Sequence, residues 1–119
     1  MKIEITGRNI EITEEIRAHI EKRFQKIAKQ VSDLAQLEVV LREERNPAIP
    51  DSQVVEARLF LKGNTLRVHD SAPDVISAIN HSAEQLARQV KRYQEKRRRR
   101  EVSPLMSQRQ VANAQTRLY

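Results

Sequence analysis

Apolar and polar positions alternate along this chain with two different periods, and the changes of period mark its elements. Lys2–Thr6 alternates with Ile3 and Ile5 on one face, which predicts a short strand ended by Gly7. Thr13 followed by Glu14 and Glu15 is a helix start, a hydroxyl N-cap with acids in the first turn at the positive end of the dipole. Ile16, Ile20, Phe24, Ile27 and Val31 then recur at three- and four-residue steps, one stripe of an amphipathic helix over about 14–31. Leu37, Val39 and Leu41 return to a period of two and predict a second strand. Asn46–Asp51 holds two prolines and reads as a loop. Gln53–Lys62 predicts a third strand with Val55, Ala57, Leu59 and Leu61 on one face, Gly63-Asn64 a tight turn, and Thr65–His69 a fourth strand. Ser71 to Asp74 is an S-x-x-D helix start with Pro73 tolerated in the first turn. Ile76, Ile79, Ala83, Leu86, Val90 and Tyr93 form the seam of a last helix reaching Arg99, about 40 Å long at 1.5 Å per residue.

The order β-α-β-β-β-α predicts an α+β fold, a two-layer sandwich with a four-stranded mixed sheet and both helices on one face. The crossover rule makes strands 1 and 2 parallel if they are neighbours, and the two hairpins are antiparallel. Phe24 and Phe60 are assigned to the core and Tyr93 to the helix seam. The solvent face of the sheet would carry Glu4, Glu38, Arg42, Glu56, Arg58 and Arg67, a mixed-charge surface and no platform for stacked bases. Pro104 is expected to break the last helix. The chain then divides into a domain over 1–96 and a basic helix end with a flexible tail over 97–119.

Charge changes this picture. Residues 88–119 hold ten Lys/Arg against two acids, Glu95 and Glu101, whereas residues 1–87 hold twelve Lys/Arg against fourteen acids. The net charge of +6 over 119 residues is therefore concentrated on the last helix and the C-terminal residues beyond it. Arginine suits a polyanion because its planar fork matches phosphate oxygens two at a time, and Arg97 to Arg100 are four in a row. At about 100° per residue, Lys22, Lys26 and Lys29 lie opposite the apolar stripe of the first helix, with Arg23 at the stripe's edge. Arg88, Arg92 and Arg99 lie opposite the seam of the last helix, with Lys91 and Lys96 on its flanks. Two such helices side by side expose two basic rows on one surface, a candidate phosphate-binding face.

Candidate catalytic chemistry is sparse. The three histidines, His19, His69 and His81, form no H-x-x-x-H pair and sit near no acid cluster of metal-binding type; His19 reads as an exposed helix residue. His69-Asp70-Ser71 has the letters of a triad, but neighbours on a strand point to opposite faces, so Asp70 and Ser71 read as turn and cap residues. Glu14-Glu15 and Glu43-Glu44 have no apolar pocket to separate their pKa values. There is no cysteine, hence no disulfide or thiolate metal site, and no glycine-rich phosphate loop. A non-enzyme is expected, without cofactor, metal or small-molecule substrate. With no long apolar run or signal-peptide pattern, it is expected to be cytoplasmic and away from membranes.

The residues also carry a resemblance. Ile3-Glu4-Ile5-Thr6-Gly7-Arg8-Asn9 with Ile10–Thr13, then Ile16-Arg17 with Arg23, Lys26, Ile27 and Lys29, then Asp74–Asn80 and Leu86-Ala87-Arg88-Gln89 follow one another on the same frame. Over about residues 1–96 the chain resembles the bacterial ribosome hibernation promoting factors and ribosome-associated inhibitor A proteins, in their short form. The resemblance implies a translation-silencing factor of starved or stationary cells. Such a factor occupies the tRNA and mRNA channel of the small ribosomal subunit and contacts 16S rRNA phosphates. By position it implies contacts from Arg23, Lys26, Lys29, Arg88, Arg92 and Lys96; the charge geometry adds Lys22 and Lys91. Residues 97–119 do not resemble the dimerising domain of long members, and the protein is expected to be a monomer off the ribosome. Two other readings remain open on the residues alone: a general double-stranded RNA-binding module, and a protein-interaction module modulating transcription.

Overall fold

The structure, a computed structural model, describes the backbone of residues 1–46 and 48–113 and the side chains through Arg98 except Pro47. Its elements run β1 (Lys2–Arg8), α1 (Glu14–Ala28), β2 (Gln36–Glu43), β3 (Gln53–Leu61), β4 (Asn64–Ala72) and α2 (Val75–Asn113). The sheet order is β1-β2-β3-β4. β1 pairs with β2 in parallel, and the two following pairs are antiparallel. This is the α+β sandwich with a mixed sheet that the periodicity predicts.

Alternation decides which sheet face the helices cover. Leu37, Val39 and Leu41 of β2, Val55, Ala57 and Leu59 of β3 and Val68 of β4 are buried in one cluster with Ile20, Phe24 and Ile27 of α1 and Ile79, Leu86 and Val90 of α2. Ile3 and Ile5 are only half-buried because β1 is an edge strand. α2 packs across β3 and β4, and α1 packs against α2.

Several boundaries move from their expected places. β1 continues through Gly7 to Arg8, and Gly7 is needed for space: a Cβ there would lie 2.5 Å from the Ile10 carbonyl oxygen. The β3–β4 turn is Lys62-Gly63, one residue earlier than expected, because Leu61 pairs with Asn64 and Gly63 takes the left-handed backbone (φ 77°). Ser71 does not cap α2. It lies in β4 opposite Val54, and Asp70 beside it is a strand residue and not a turn residue.

The cap of α2 is Asp74. Its Oδ1 accepts from the Ser77 backbone N–H at 2.8 Å and its Oδ2 from the Ser77 hydroxyl at 2.9 Å. The backbone bond from Ser77, then its hydroxyl, hold the Asp74 carboxyl below the ordinary value of 3.8. A lowered folded-state pKa stabilises the fold above the unfolded-state value, and that contribution is lost as pH falls through the lowered one. Carboxyl-carbon NMR titration of Asp74 should thus give a midpoint below 3.8, and Asp74→Asn should remove this step from the acid-unfolding profile. A midpoint at or above 3.8 would contradict the cap.

α2 also passes through Pro104 to Asn113 instead of stopping near Arg99. An interior proline removes one backbone donor and costs about 3 kcal/mol, but Leu105, Met106, Gln108, Arg109, Gln110 and Ala112 beyond it mostly favour helix. The backbone of residues 97–113, expected as a helix end and tail, is thus a continuation of α2, while 114–119 lie outside the described residues.

Candidate nucleic-acid interface

The two helices are registered by side chains that bridge them. On α1, capped by the Thr13 hydroxyl accepting from the Ile16 N–H at 3.1 Å, His19 Nε2 lies 2.8 Å from Asn80 Oδ1 of α2. Farther along, Gln94 Nε2 donates to the Gln30 carbonyl oxygen. On the opposite flank of α2, Gln89 Nε2 donates to the Arg67 carbonyl oxygen of β4 at 2.9 Å. His19 is half-buried as a result, where the sequence suggested exposure. The helical spacing could not show this, because Asn80 is 61 residues away.

These bridges fix the helical phase of the cations. Relative to His19, Lys26 lies within about 20° and Arg23 about 40° toward the core, while Lys22 and Lys29 turn outward by roughly 60–80°. Relative to Asn80, Lys91 lies about 20° outward and Arg88 and Arg92 face solvent, between the α1 flank and the Gln89 flank. Lys22, Lys26, Lys29, Arg88, Lys91, Arg92 and Lys96 are exposed. Arg23, Lys26 and Lys91 border the seam between the helices, and Arg88 and Arg92 form the adjoining outward row. Lys96 differs: it turns away from α1 and lines a hollow with Lys62, Gly63 and Asn64 at the β3–β4 turn. Arg23 is half-buried, and its Nε is out of water without a hydrogen-bond partner. Its place at the stripe's edge was legible in the spacing; the stranded Nε was not.

Charge compensation separates the two faces of the molecule. On the sheet, Arg42 pairs with Glu44 (3.8 Å) and Glu56 (3.7 Å), and Arg58 pairs with Glu38. Among the described residues none of the eight helix cations named above makes an ion pair. Like charges gathered without counter-charges destabilise a free protein slightly and attract an anionic partner. Glu84 and Glu95 are the acids on α2 through Arg98. The triad letters do not assemble: His69 is exposed, whereas Asp70 Oδ2 lies 3.3 Å from His81 Nδ1 and its Oδ1 accepts from the Ser71 N–H.

The outer sheet face carries one residue expected in the core. With Leu59 buried and Leu61 half-buried on the inner side, alternation sends Phe60 outward, where it is 38% exposed with the Arg58 guanidinium 5.9 Å from its ring centre. Size and apolarity suggested burial, but strand parity decides the face.

The model of the family described as Sigma 54 modulation protein / S30EA ribosomal protein matches residues 3–98. The chain belongs to this family. A ribosome hibernation promoting factor of Salmonella typhimurium is 32% identical over 96 residues, covering 81% of this chain and 96% of that protein. A ribosome hibernation promotion factor of Picosynechococcus is 29% identical over 97 residues, and there the chain spans half the length of its relative. The Thermus thermophilus Protein Y N-terminal domain superposes with a TM-score of 0.67 at 30% identity, covering 78% of this chain and 99% of that one. A ribosomal subunit interface protein from Coxiella burnetii, at 18% identity and the same TM-score of 0.67, shows the same fold. The family is one of ribosome hibernation factors and not an enzyme family. No helix among the described residues is long and apolar enough to cross a membrane.

Proposed function

We propose that this protein silences idle ribosomes in the cytoplasm. It would bind the small subunit in the tRNA and mRNA channel, with the basic faces of α1 and α2 against 16S rRNA. The observation that carries this reading is the set of eight helix cations without ion pairs on a family frame whose relatives are hibernation factors. Residues 1–96 are the binding body. Lys22, Arg23, Lys26, Lys29, Arg88, Lys91 and Arg92 meet phosphate along the helix layer, and Lys96 meets it at the far flank. The free protein is a monomer, since the seam of α2 through Val90 is buried on the sheet.

Sedimentation with purified subunits tests the proposal. The protein should travel with the small subunit and whole ribosomes and not with the large subunit. With about six phosphates neutralised, log affinity should fall against log salt with a slope of roughly −4 to −5. An affinity unchanged between low and high salt would remove the basic rows as the contact surface. Equal binding to a bare RNA duplex would favour a general double-stranded RNA module.

A further inference from the structure

The open end of the sandwich holds two adjoining hollows that the basic rows do not explain. The larger, of 560 Å³, is lined from five segments, with Val31, Leu34, Gln36, Phe60, Leu61 and Tyr93 prominent. The smaller, of 500 Å³, is the one Lys96 lines. Tyr93, Lys62 and Arg97 line both and so form the partition between them. The apolar rim is exposed: Leu34 is 90% and Phe60 38% accessible, two of the three large apolar side chains exposed among the described residues. No acid lines either hollow.

The geometry points to a binding site for one unpaired nucleotide of a single-stranded RNA, with its base against Tyr93 in the larger hollow and its phosphate at Lys62 and Lys96 in the smaller. Three observations select this occupant. The all-cationic charge calls for an anion, and Lys96 makes the site continuous with the phosphate-binding face. The larger volume falls in the about 300–1,000 Å³ range of small-ligand sites, with an aromatic wall of the kind on which bases stack without regard to sequence. The Gln36 amide, which makes no hydrogen bond among the described residues, offers a donor and an acceptor to a base edge. An extended peptide fits less well, because the hollow opens at the ends of β2 and β3 and not along a strand edge where backbone pairing could hold it. The site rests on the small-subunit reading for its biological RNA, but its chemistry is testable without ribosomes.

The chain has no tryptophan and two tyrosines, Tyr93 and Tyr119, so the full-length Tyr119→Phe protein reports on Tyr93 alone. It is titrated with a five-residue oligoadenylate and with an abasic ribose-phosphate oligomer of the same length. Oligoadenylate should quench Tyr93 emission at saturation and bind about five- to one-hundredfold more tightly than the abasic oligomer. Tyr93→Leu, followed by fluorescence anisotropy of labelled oligomer, should erase that preference. Lys62→Gln, in the exposed turn, should weaken both oligomers and keep the preference. Equal affinity for the two oligomers, unquenched emission at saturation, or occupation of the site by an acidic apolar peptide and not by oligoadenylate would overturn the nucleotide site. Small-subunit pelleting of the unsubstituted protein is run in parallel. Its failure refutes the ribosome reading, and loss of the oligomer preference with pelleting intact refutes the nucleotide site alone.

Discussion

Reversing two charges at once, Lys26→Glu with Arg88→Glu, should abolish pelleting with the small subunit while the circular dichroism spectrum and thermal midpoint stay close to those of the parent. Both side chains are exposed, and neither makes an ion pair among the described residues. Exposed substitutions of this kind usually change stability by about 0.5 kcal/mol or less. Binding is a different matter. Each reversal removes a cation from a phosphate and puts a carboxylate in its place, and like-charge contacts across an interface cost several kcal/mol. The combined loss should be at least about a hundredfold in affinity. The single variants should each weaken binding and steepen its loss with salt only where the remaining cations still bind. Normal pelleting by the double variant would refute the assignment of the helix faces.

The second large effect concerns the two phenylalanines. Phe24 is fully buried (0% exposed) where α1 meets the common core cluster. Phe24→Ala should cost about 3–5 kcal/mol through lost burial and the cavity left behind. For a domain of this size that is a fall in thermal midpoint of roughly 15–30 °C. Phe60→Ala, on the outer face, removes a partly exposed ring and a cation–π contact and should cost about 1 kcal/mol or less. Thermal unfolding followed at 222 nm separates them. Equal losses would place Phe60 in the core and shift the strand parity of β3.

These two residues show what a sequence of this kind discloses. Both are large and apolar, but Phe24 sits on a stripe repeated over four turns, whereas Phe60 interrupts a period of two held by Leu59 and Leu61. The periodicity carries the face, and side-chain size alone does not. The same periodicity fixed the two helices, the four strands and their order, because each element presents one continuous apolar face. It also fixed which way Lys22, Lys26, Lys29, Arg88 and Arg92 turn, since the 3.6-residue repeat ties each of them to a buried neighbour.

Long-range pairing was not legible. His19 with Asn80 and Gln94 with Gln30 join residues more than sixty positions apart, and only they set how α1 and α2 lean together. The half-burial of Arg23 follows from that lean. Local chemistry misled in two places: S-x-x-D put the cap at Ser71 when Asp74 with Ser77 satisfies the same need three residues later, and Pro104 suggested a stop that α2 passes through. The two hollows at the open end draw on α1, the loop after it, the ends of two strands, the β3–β4 turn and α2. No window of sequence contains them.

The decisive measurement is chemical footprinting of 16S rRNA in purified small subunits with and without the protein, with the Lys26→Glu/Arg88→Glu variant as control. Binding through the paired helix faces predicts protection of backbone and bases lining the tRNA and mRNA channel, lost with the variant and at high salt. Protection confined to the solvent side of the subunit, or an unchanged footprint with the variant, would contradict it.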